Sequence, residues 1–376
     1  MTMPFVLDEE QQLLQESAQS FLSGRAPIAH FRKLRDSRDP TGFSRDLWAE
    51  FANQGYSATL VPEAYGGLGL GVVEAGILSE QLGRTLTPSP FLSTAVLAAW
   101  AVTRAGSDAQ KALLLPRIAA AGTVVALAVD EHAKHRPAAI TTRATRDGTN
   151  FRITGSKRFV VDAHVADWLI VAARTDNDAL TLFLVEPGAA GVRIERTSMV
   201  DASNAGLVHL DGALVDPEAV LGEVNGGTVL LEQILDVGRV VVAAQLLGVA
   251  HEAFDRTVAY LKQRKQFDRL IGEFQALQHR ASTLYCDIEL TRAIVLKALH
   301  ALAADSADGP LLASQAKARA SWTANTAVQE AVQMHGGMGM TDEFDVGLFM
   351  KRARVLQELF GDGGFHADRV ATLGGY

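Results

Sequence analysis

Cysteine is almost missing from this chain. A single one, Cys286, stands among 376 residues, which excludes an intramolecular disulfide and any multi-cysteine metal site. Lying within a helical pattern, it reads as a small buried hydrophobe and not as a nucleophile. Cations are short as well: 35 lysines and arginines against 43 aspartates and glutamates leave a net charge of −8. Binding to nucleic acid or to an anionic membrane calls for clustered positive charge, so neither partner is expected. No run of about eighteen apolar residues suggests a membrane span. The opening MTMPFVLDEEQQ lacks the basic-then-apolar order of a signal peptide, and a cytoplasmic location is expected. The separations of His251, His279, His335 and His366 fit none of the common metal-ligand spacings, so no metal is expected and each reads as a satisfied polar residue at a helix surface. There is no Ser/His/Asp elbow and no internal repeat.

What is present is ordinary in bulk. An apolar share of 48% and a charged share of 21% suit a folded globular protein, and 376 residues suffice for two or three domains. In residues 8–24, Leu13, Leu14, Ala18, Phe21 and Leu22 recur at helical spacing behind Asp8, Glu9 and Glu10. Helical patterns follow at 44–54, 71–84, 90–105 and 107–121, with a Pro/Gly-rich loop at 61–69. After Gly122 the period shortens. Runs at 123–129, 139–146, 151–154, 158–161, 168–173, 180–185 and 192–195 are rich in β-branched and aromatic residues, and turn signals separate them. They predict a compact antiparallel β-domain. From about residue 226 the helical period returns at 227–263, 273–304, 309–335 and 344–360, lengths that suit an antiparallel four-helix bundle. The expected division is an N-terminal all-α domain (1–121), a middle antiparallel β-domain (122–224) and a C-terminal four-helix bundle (225–376).

Two stretches near the end carry unusual chemistry. The first runs from Arg264 to His279. Arg264 offers a planar, permanently charged fork to a phosphate. Phe267 and Phe274 are flat enough to pack against an aromatic ring, and Gln266 and Gln278 both donate and accept. Such a set suits a nucleotide cofactor with a pyrophosphate and an adenine; a helix–loop–helix junction with a solvated basic face is the plainer alternative. The second stretch, Gln333-Met334-His335-Gly336-Gly337-Met338-Gly339, ends a helical run. Its glycines permit close backbone approach or positive φ, although helices often end in glycine.

Together these stretches resemble the paired signature of the acyl-CoA dehydrogenase family, Arg-x-Gln-Phe…Phe-Gln and Gln-x-x-Gly-Gly-x-Gly. The likeness extends over nearly the whole chain: 61–69 is similar to the family's P-x-x-x-G-G-x-G loop, and 212–222 to its exit segment from the β-domain, with Asp216 interposed. Within the family it is nearest to the small subunits of two-component enzymes such as pimeloyl-CoA dehydrogenase. The resemblance implies the acyl-CoA dehydrogenase fold and FAD as cofactor. It implies oxidation of an acyl-CoA thioester to a 2,3-enoyl-CoA, as in fatty acid β-oxidation, with an electron-transfer flavoprotein as acceptor. It also implies a homotetramer, or a heterotetramer with a glutamate-bearing acyl-CoA dehydrogenase subunit. In the family the two segments of one subunit grip the FAD of its neighbour, which assigns cofactor contacts to Arg264, Gln266, Phe267, Ile271, Phe274, Gln333, Gly336 and Gly337.

Phe159-Val160-Val161 resembles the family's Trp-Ile-Thr strand along the flavin ring, which adds Phe159 and Val161 to the set, with Val161 in place of a threonine hydroxyl. Plain sheet core is the alternative. The family's Thr-Glu-Pro-x-x-Gly-Ser-Asp loop is matched by Val129-Asp130-Glu131-His132-Ala133-Lys134-His135-Arg136. Asp130 takes the acidic place, Lys134 and Arg136 face CoA phosphates, or the loop is simply solvated.

The resemblance weakens at the base. Family members carry a glutamate in a Tyr-Glu-Gly-Thr segment, where this chain reads Leu359-Phe360-Gly361-Asp362-Gly363-Gly364, with glycine at the base position. A second location, before the arginine of a Leu-x-x-Glu-Arg segment, reads Asp236-Val237-Gly238-Arg239. Asp362, one residue along, is the candidate catalytic residue. The favoured alternative is a base supplied by a partner subunit, and Asp362 is also a suitable helix cap. A catalytically silent subunit that completes a partner's FAD site is a further alternative, and a flavin–oxygen offshoot of the family another.

Overall fold

A computed structural model describes residues 5–376; the first four residues of the expected N-terminal domain lie outside the described residues. The chain opens with α1 (Glu9–Arg25), α2 (Ile28–Ser37), α3 (Arg45–Asn53) and α4 (Val72–Thr85). A π-helical segment, Phe91–Ala98, runs into α5 (Ala99–Ala105), and α6 (Asp108–Ala119) follows. The strands are β1 (Val125–Ala128), β2 (Arg143–Asp147), β3 (Asn150–Val161), β4 (Trp168–Arg174), β5 (Leu180–Val185), β6 (Val192–Ser198), β7 (Asn204–Val215) and β8 (Val220–Leu221). Then come α7 (Gly227–Leu261), the short strands β9 (Lys265–Gln266) and β10 (Arg269–Leu270), α8 (Gln275–Ala303), α9 (Gly309–His335), α10 (Val346–Glu358) and α11 (Gly363–Leu373). The chain packs as two compact units: one holds Leu34–Gly71 and Pro88–Gly238, the other Val72–Thr87 and Arg239–Tyr376 with the segment before Leu34.

In the unit holding the sheet, the strand order is β6-β7-β3-β2-β4-β5-β8, and β1 pairs β4. Two features depart from the expected antiparallel set of short runs. β4 pairs in parallel with β1 and with β2, and the runs at 151–154 and 158–161 are one strand, β3, bent by register shifts at Ile153/Gly155 and Lys157/Val160. Bulges of this kind keep one strand paired while re-aiming its side chains. Strand β7, which the sequence did not suggest, pairs with both β3 and β6. The inner face buries Phe151, Ile153, Val160, Leu169, Val171, Phe183 and Val208, each worth roughly 1.5–3 kcal/mol of transfer free energy. Phe151 and Phe183 meet edge to face at 5.1 Å. Helix α6 starts with a reciprocal capping box between Ser107 and Gln110.

The other unit is built on long helices. α8 and α9 lie side by side, with the Thr291 and Thr323 hydroxyls hydrogen-bonded at 2.7 Å in their buried seam. α4 approaches α7 so closely that a Cβ on Gly248 would stand 1.9 Å from the Glu80 carbonyl oxygen. Small residues permit that contact. One correction applies here: Cys286 is exposed, not buried. A further helix, α11, follows the four expected ones from Gly363. Helix α7 is long and apolar enough to cross a membrane by length and composition, but its apolar stretch is wholly buried inside the protein; its hydrophobicity is that of a core helix.

Candidate functional site

The Arg264–Phe274 stretch folds as a tight hairpin. Gln266 pairs with Arg269 and Lys265 with Leu270, leaving a two-residue turn in which Phe267 and Asp268 take φ of 53° and 62°. That is the handedness that suits a two-residue hairpin turn. The amide of Ile271 donates to the Arg264 carbonyl at 2.9 Å, closing the loop. Phe267 is 86% exposed, an unusual place for a large apolar ring. It meets Phe274 edge to face at 6.2 Å, and the Arg269 guanidinium sits 4.1 Å from the Phe274 ring centre. Arg264 and Gln266 are exposed, and Ile271 is half-buried. Gln278 donates back to the Gly272 carbonyl at 2.9 Å.

The Gln333–Gly339 stretch comes to the same end of that unit. His335, the last residue of α9, stacks on Tyr260 near the end of α7 at 4.3 Å. Arg280 at the start of α8 forms a two-pronged ion pair with Glu330 of α9, at 2.6 and 2.9 Å. Buried His335 donates through Nδ1 to the Ala331 carbonyl at 2.7 Å, and burial lowers its pKa. It is thus a packing residue, not a helix-surface one, whereas His279 is exposed. Gly336 takes φ 62° with ψ −141°, a conformation open essentially to glycine alone. Gln333, Gly336 and Gly337 face solvent, and a Cβ at either glycine would meet nothing within 4 Å. The result is a face with an exposed aromatic ring, a guanidinium, carboxamides and bare backbone. That donor set fits the pyrophosphate and adenine of a dinucleotide.

In the sheet-bearing unit, Phe159 is 42% exposed with φ 53°, and Val161 is half-buried. The second bulge of β3 turns Phe159 outward, so it is not plain sheet core. The neighbouring loop has a different anchor from the one the sequence suggested. Fully buried Lys157 donates to Glu131 at 2.8 Å and to the Val129 carbonyl at 3.2 Å. Glu131 also accepts from the amide and hydroxyl of both Thr141 and Thr142. Burial opposes the Glu131 carboxylate, but the Lys157 charge and these bonds outweigh it and hold its pKa at about 2. Burial lowers Lys157 to about 8, with Glu131 pulling the other way. Asp130 is paired with His135 at 2.9 Å, while Lys134 and Arg136 are exposed. Lys157 and Glu131 were missed because they lie 26 residues apart and only the fold joins them.

The turn between α10 and α11 is fixed from beneath. Phe360 and Gly361 have φ of 57° and 110°. Fully buried Lys317 donates to the carbonyls of Gln357 and Gly361 at 3.0 and 2.9 Å, and Nε2 of buried His366 lies 3.1 Å from the Phe360 oxygen. Asp362 is the N-cap of α11, its Oδ1 accepting the Phe365 amide at 2.9 Å. Arg239, fully buried, has its guanidinium 5.6 Å from the Phe365 ring centre. Of the two sequence positions read as empty base sites, Gly238 directly precedes Arg239, and Gly361 lies against Phe365. Among the described residues no cluster of three or more His, Cys, Asp or Glu could hold a metal.

Family models for the N-terminal, middle and C-terminal domains of acyl-CoA dehydrogenase match residues 8–122, 126–211 and 225–373. The chain belongs to the acyl-CoA dehydrogenase family. A relative, acyl-CoA dehydrogenase IpdE2 of Mycobacterium tuberculosis, is 30% identical over 93% of both chains. Among solved structures, the Tcur3481-Tcur3483 steroid ACAD is 31% identical over 97% of both chains with a TM-score of 0.89. The ChsE4-ChsE5 complex of M. tuberculosis is 27% identical over 100% of both chains with a TM-score of 0.91. The architecture is that of the family: a helical N-terminal part, a β-sheet in the middle and a helical C-terminal part. In this acyl-CoA dehydrogenase-family chain, Arg264, Gln266, Phe267, Ile271 and Phe274 share one end of one unit with Gln333, Gly336 and Gly337, while Phe159 and Val161 stand on the other unit.

Proposed function

We propose that the chain is one subunit of a heteromeric, FAD-dependent acyl-CoA dehydrogenase that converts an acyl-CoA thioester to its 2,3-enoyl-CoA, with the base coming from a glutamate-bearing partner. The observation that carries this reading is the state of Asp362. Its Oδ1 is engaged by the Phe365 amide at 2.9 Å, and an aspartate spent on a helix N-terminus is a poor proton acceptor. Support for the hetero-oligomer comes from two structural relatives named as pairs of components, the ChsE4-ChsE5 complex and the Tcur3481-Tcur3483 ACAD.

For the cofactor, Arg264 and the bare backbone at Gly336 and Gly337 would receive the pyrophosphate. Phe267, Phe274 and Ile271 would flank the adenine, Gln266 and Gln333 would supply hydrogen bonds, and Phe159 and Val161 would line the flavin. FAD, when bound, supplies the acceptor for the hydride that leaves the acyl β-carbon. The residues of this chain orient and enclose; at the α10–α11 turn the Asp362 carboxylate is engaged as the N-cap of α11, and the α-proton would go to the partner's glutamate. An electron-transfer flavoprotein as acceptor, tetrameric assembly, a β-oxidation role, cytoplasmic residence and domain boundaries at 121/122 and 224/225 belong to the same proposal.

A silent subunit that only completes a partner's FAD site is the second reading, favoured by the 86% exposure of the Phe267 ring. Asp362→Asn tests the first, because asparagine caps a helix as well as aspartate does but cannot act as a base. Flavin reduction by acyl-CoA in the enzyme as co-purified with its partner should proceed at the wild-type rate. A loss of about a hundredfold or more would assign the base to Asp362 and overturn the proposal.

A further inference from the structure

Position 361, which carries no side chain, also lacks the room for one. A Cβ built on Gly361 would stand 2.3 Å from Cδ1 and 3.0 Å from Cε1 of Phe365, and 3.0 Å from Nε2 of His366. Real Cβ atoms do not approach carbon so closely, so something would have to move. The neighbours resist. The Phe365 backbone is tied to Asp362, and its ring meets His366 edge to face at 5.1 Å and lies by the buried Arg239 guanidinium. His366 is itself fully buried and set against the Phe360 carbonyl. Lys317 holds the Gly361 carbonyl at 2.9 Å, so lifting the turn away would strip a buried donor of an acceptor.

We propose that Phe365 is a plug: it fills the space that any side chain at position 361 would enter, and makes this subunit unable to carry its own carboxylate there. The plug deepens the partner-base reading and rests on it for its functional meaning. It turns an absent residue into a steric commitment, so that regaining a base at this turn would take two changes, at 361 and at 365. Phe365 acts on position 361 by occupying space and is a positioning residue, not a catalytic one.

The test is a double-mutant cycle on the full chain, read by thermal unfolding. Gly361→Ala adds both the methyl and the cost of φ 110°, whereas the clash with Phe365 exists only while the ring is there. The backbone cost is common to both backgrounds and cancels. Gly361→Ala should lower Tm by about 5 °C or more in the native background, and by less than about half as much when Phe365→Ala is present. Equal drops in the two backgrounds would overturn the plug. Should Gly361→Ala alone fail to fold, recovery of folded protein in the double variant carries the same meaning. Failure of the double variant where Phe365→Ala alone folds would overturn it. Gly361→Glu with Phe365 in place should likewise be destabilised, and an unchanged Tm would contradict the proposal. None of these readouts involves flavin or acyl-CoA, so a failed plug leaves the origin of the base to be decided by Asp362→Asn.

Discussion

Oδ1 of Asp362 accepts the amide hydrogen of Phe365 at 2.9 Å and thereby starts the last helix. One carboxylate thus sets the helix entry and presents the ring that covers Gly361. Asp362→Ala should destabilise the chain by about 1 kcal/mol, and Asp362→Asn by only a few tenths, the usual order for caps. Denaturant midpoints of the two variants at one pH check this; equal losses would mean that the cap contributes nothing.

The Lys157–Glu131 pair should behave as a buried ion pair. Lys157→Met leaves the Glu131 carboxylate enclosed without its cation and should cost about 3 kcal/mol or more, while adding Glu131→Gln should recover part of the loss. Acid adds a second signature. The folded Glu131 carboxyl is held at about 2 against an ordinary 4.5, so the unfolded chain binds more protons in that interval. The contribution is complete above about 4.5 and is lost as pH falls toward 2. Urea unfolding at pH 3 and 7 should show a smaller acid loss in Glu131→Gln than in the wild type.

Lys317 predicts a slope of the same sign in a higher pH window. Burial, with the Arg239 charge adding to it and Glu358 and Asp362 opposing, lowers its pKa to about 7 from 10.5. Between those values the unfolded chain holds a proton that the folded chain has released, so stability rises with pH across the window. Lys157, lowered to about 8, adds to the upper part. Lys317→Met should flatten the rise between pH 7 and 9, at a cost from the two carbonyls left without their donor. Parallel stability curves for wild type and variant would contradict this.

Phe267 separates cofactor binding from folding. At 86% exposed it contributes little to the core, so Phe267→Ala should leave Tm of the cofactor-free chain within about 1 °C. If the ring packs on a cofactor base, the same change should weaken FAD retention about tenfold. Absorbance of the protein-bound flavin after gel filtration gives the second number. Unchanged retention would remove the hairpin from the site.

The long helices and most of the strands were legible because local periodicity carries them. Strand β7 was not: Asn204–Val215 contains two glycines and several small residues, and its extended form comes from pairing with β3 and β6 on both sides. Helix α11 was only hinted at, by Asp362 as a suitable cap, because Gly363 and Gly364 at its start are poor helix formers. Cys286 was misplaced because a helical pattern alone does not say which flank of α8 faces water. That Gly361 is an obligatory glycine could not be read at all, since Phe365 reaches it only through the turn geometry. The meeting of His335 with Tyr260 likewise depends on how the ends of α7 and α9 pack.

The most direct test of the account is an anaerobic titration of this chain, purified alone and loaded with FAD, with a panel of acyl-CoA thioesters, following flavin absorbance. The account predicts no bleaching by any thioester until a glutamate-bearing subunit is added. Bleaching by the isolated chain, abolished by Asp362→Asn, would contradict it and make the chain a self-sufficient dehydrogenase.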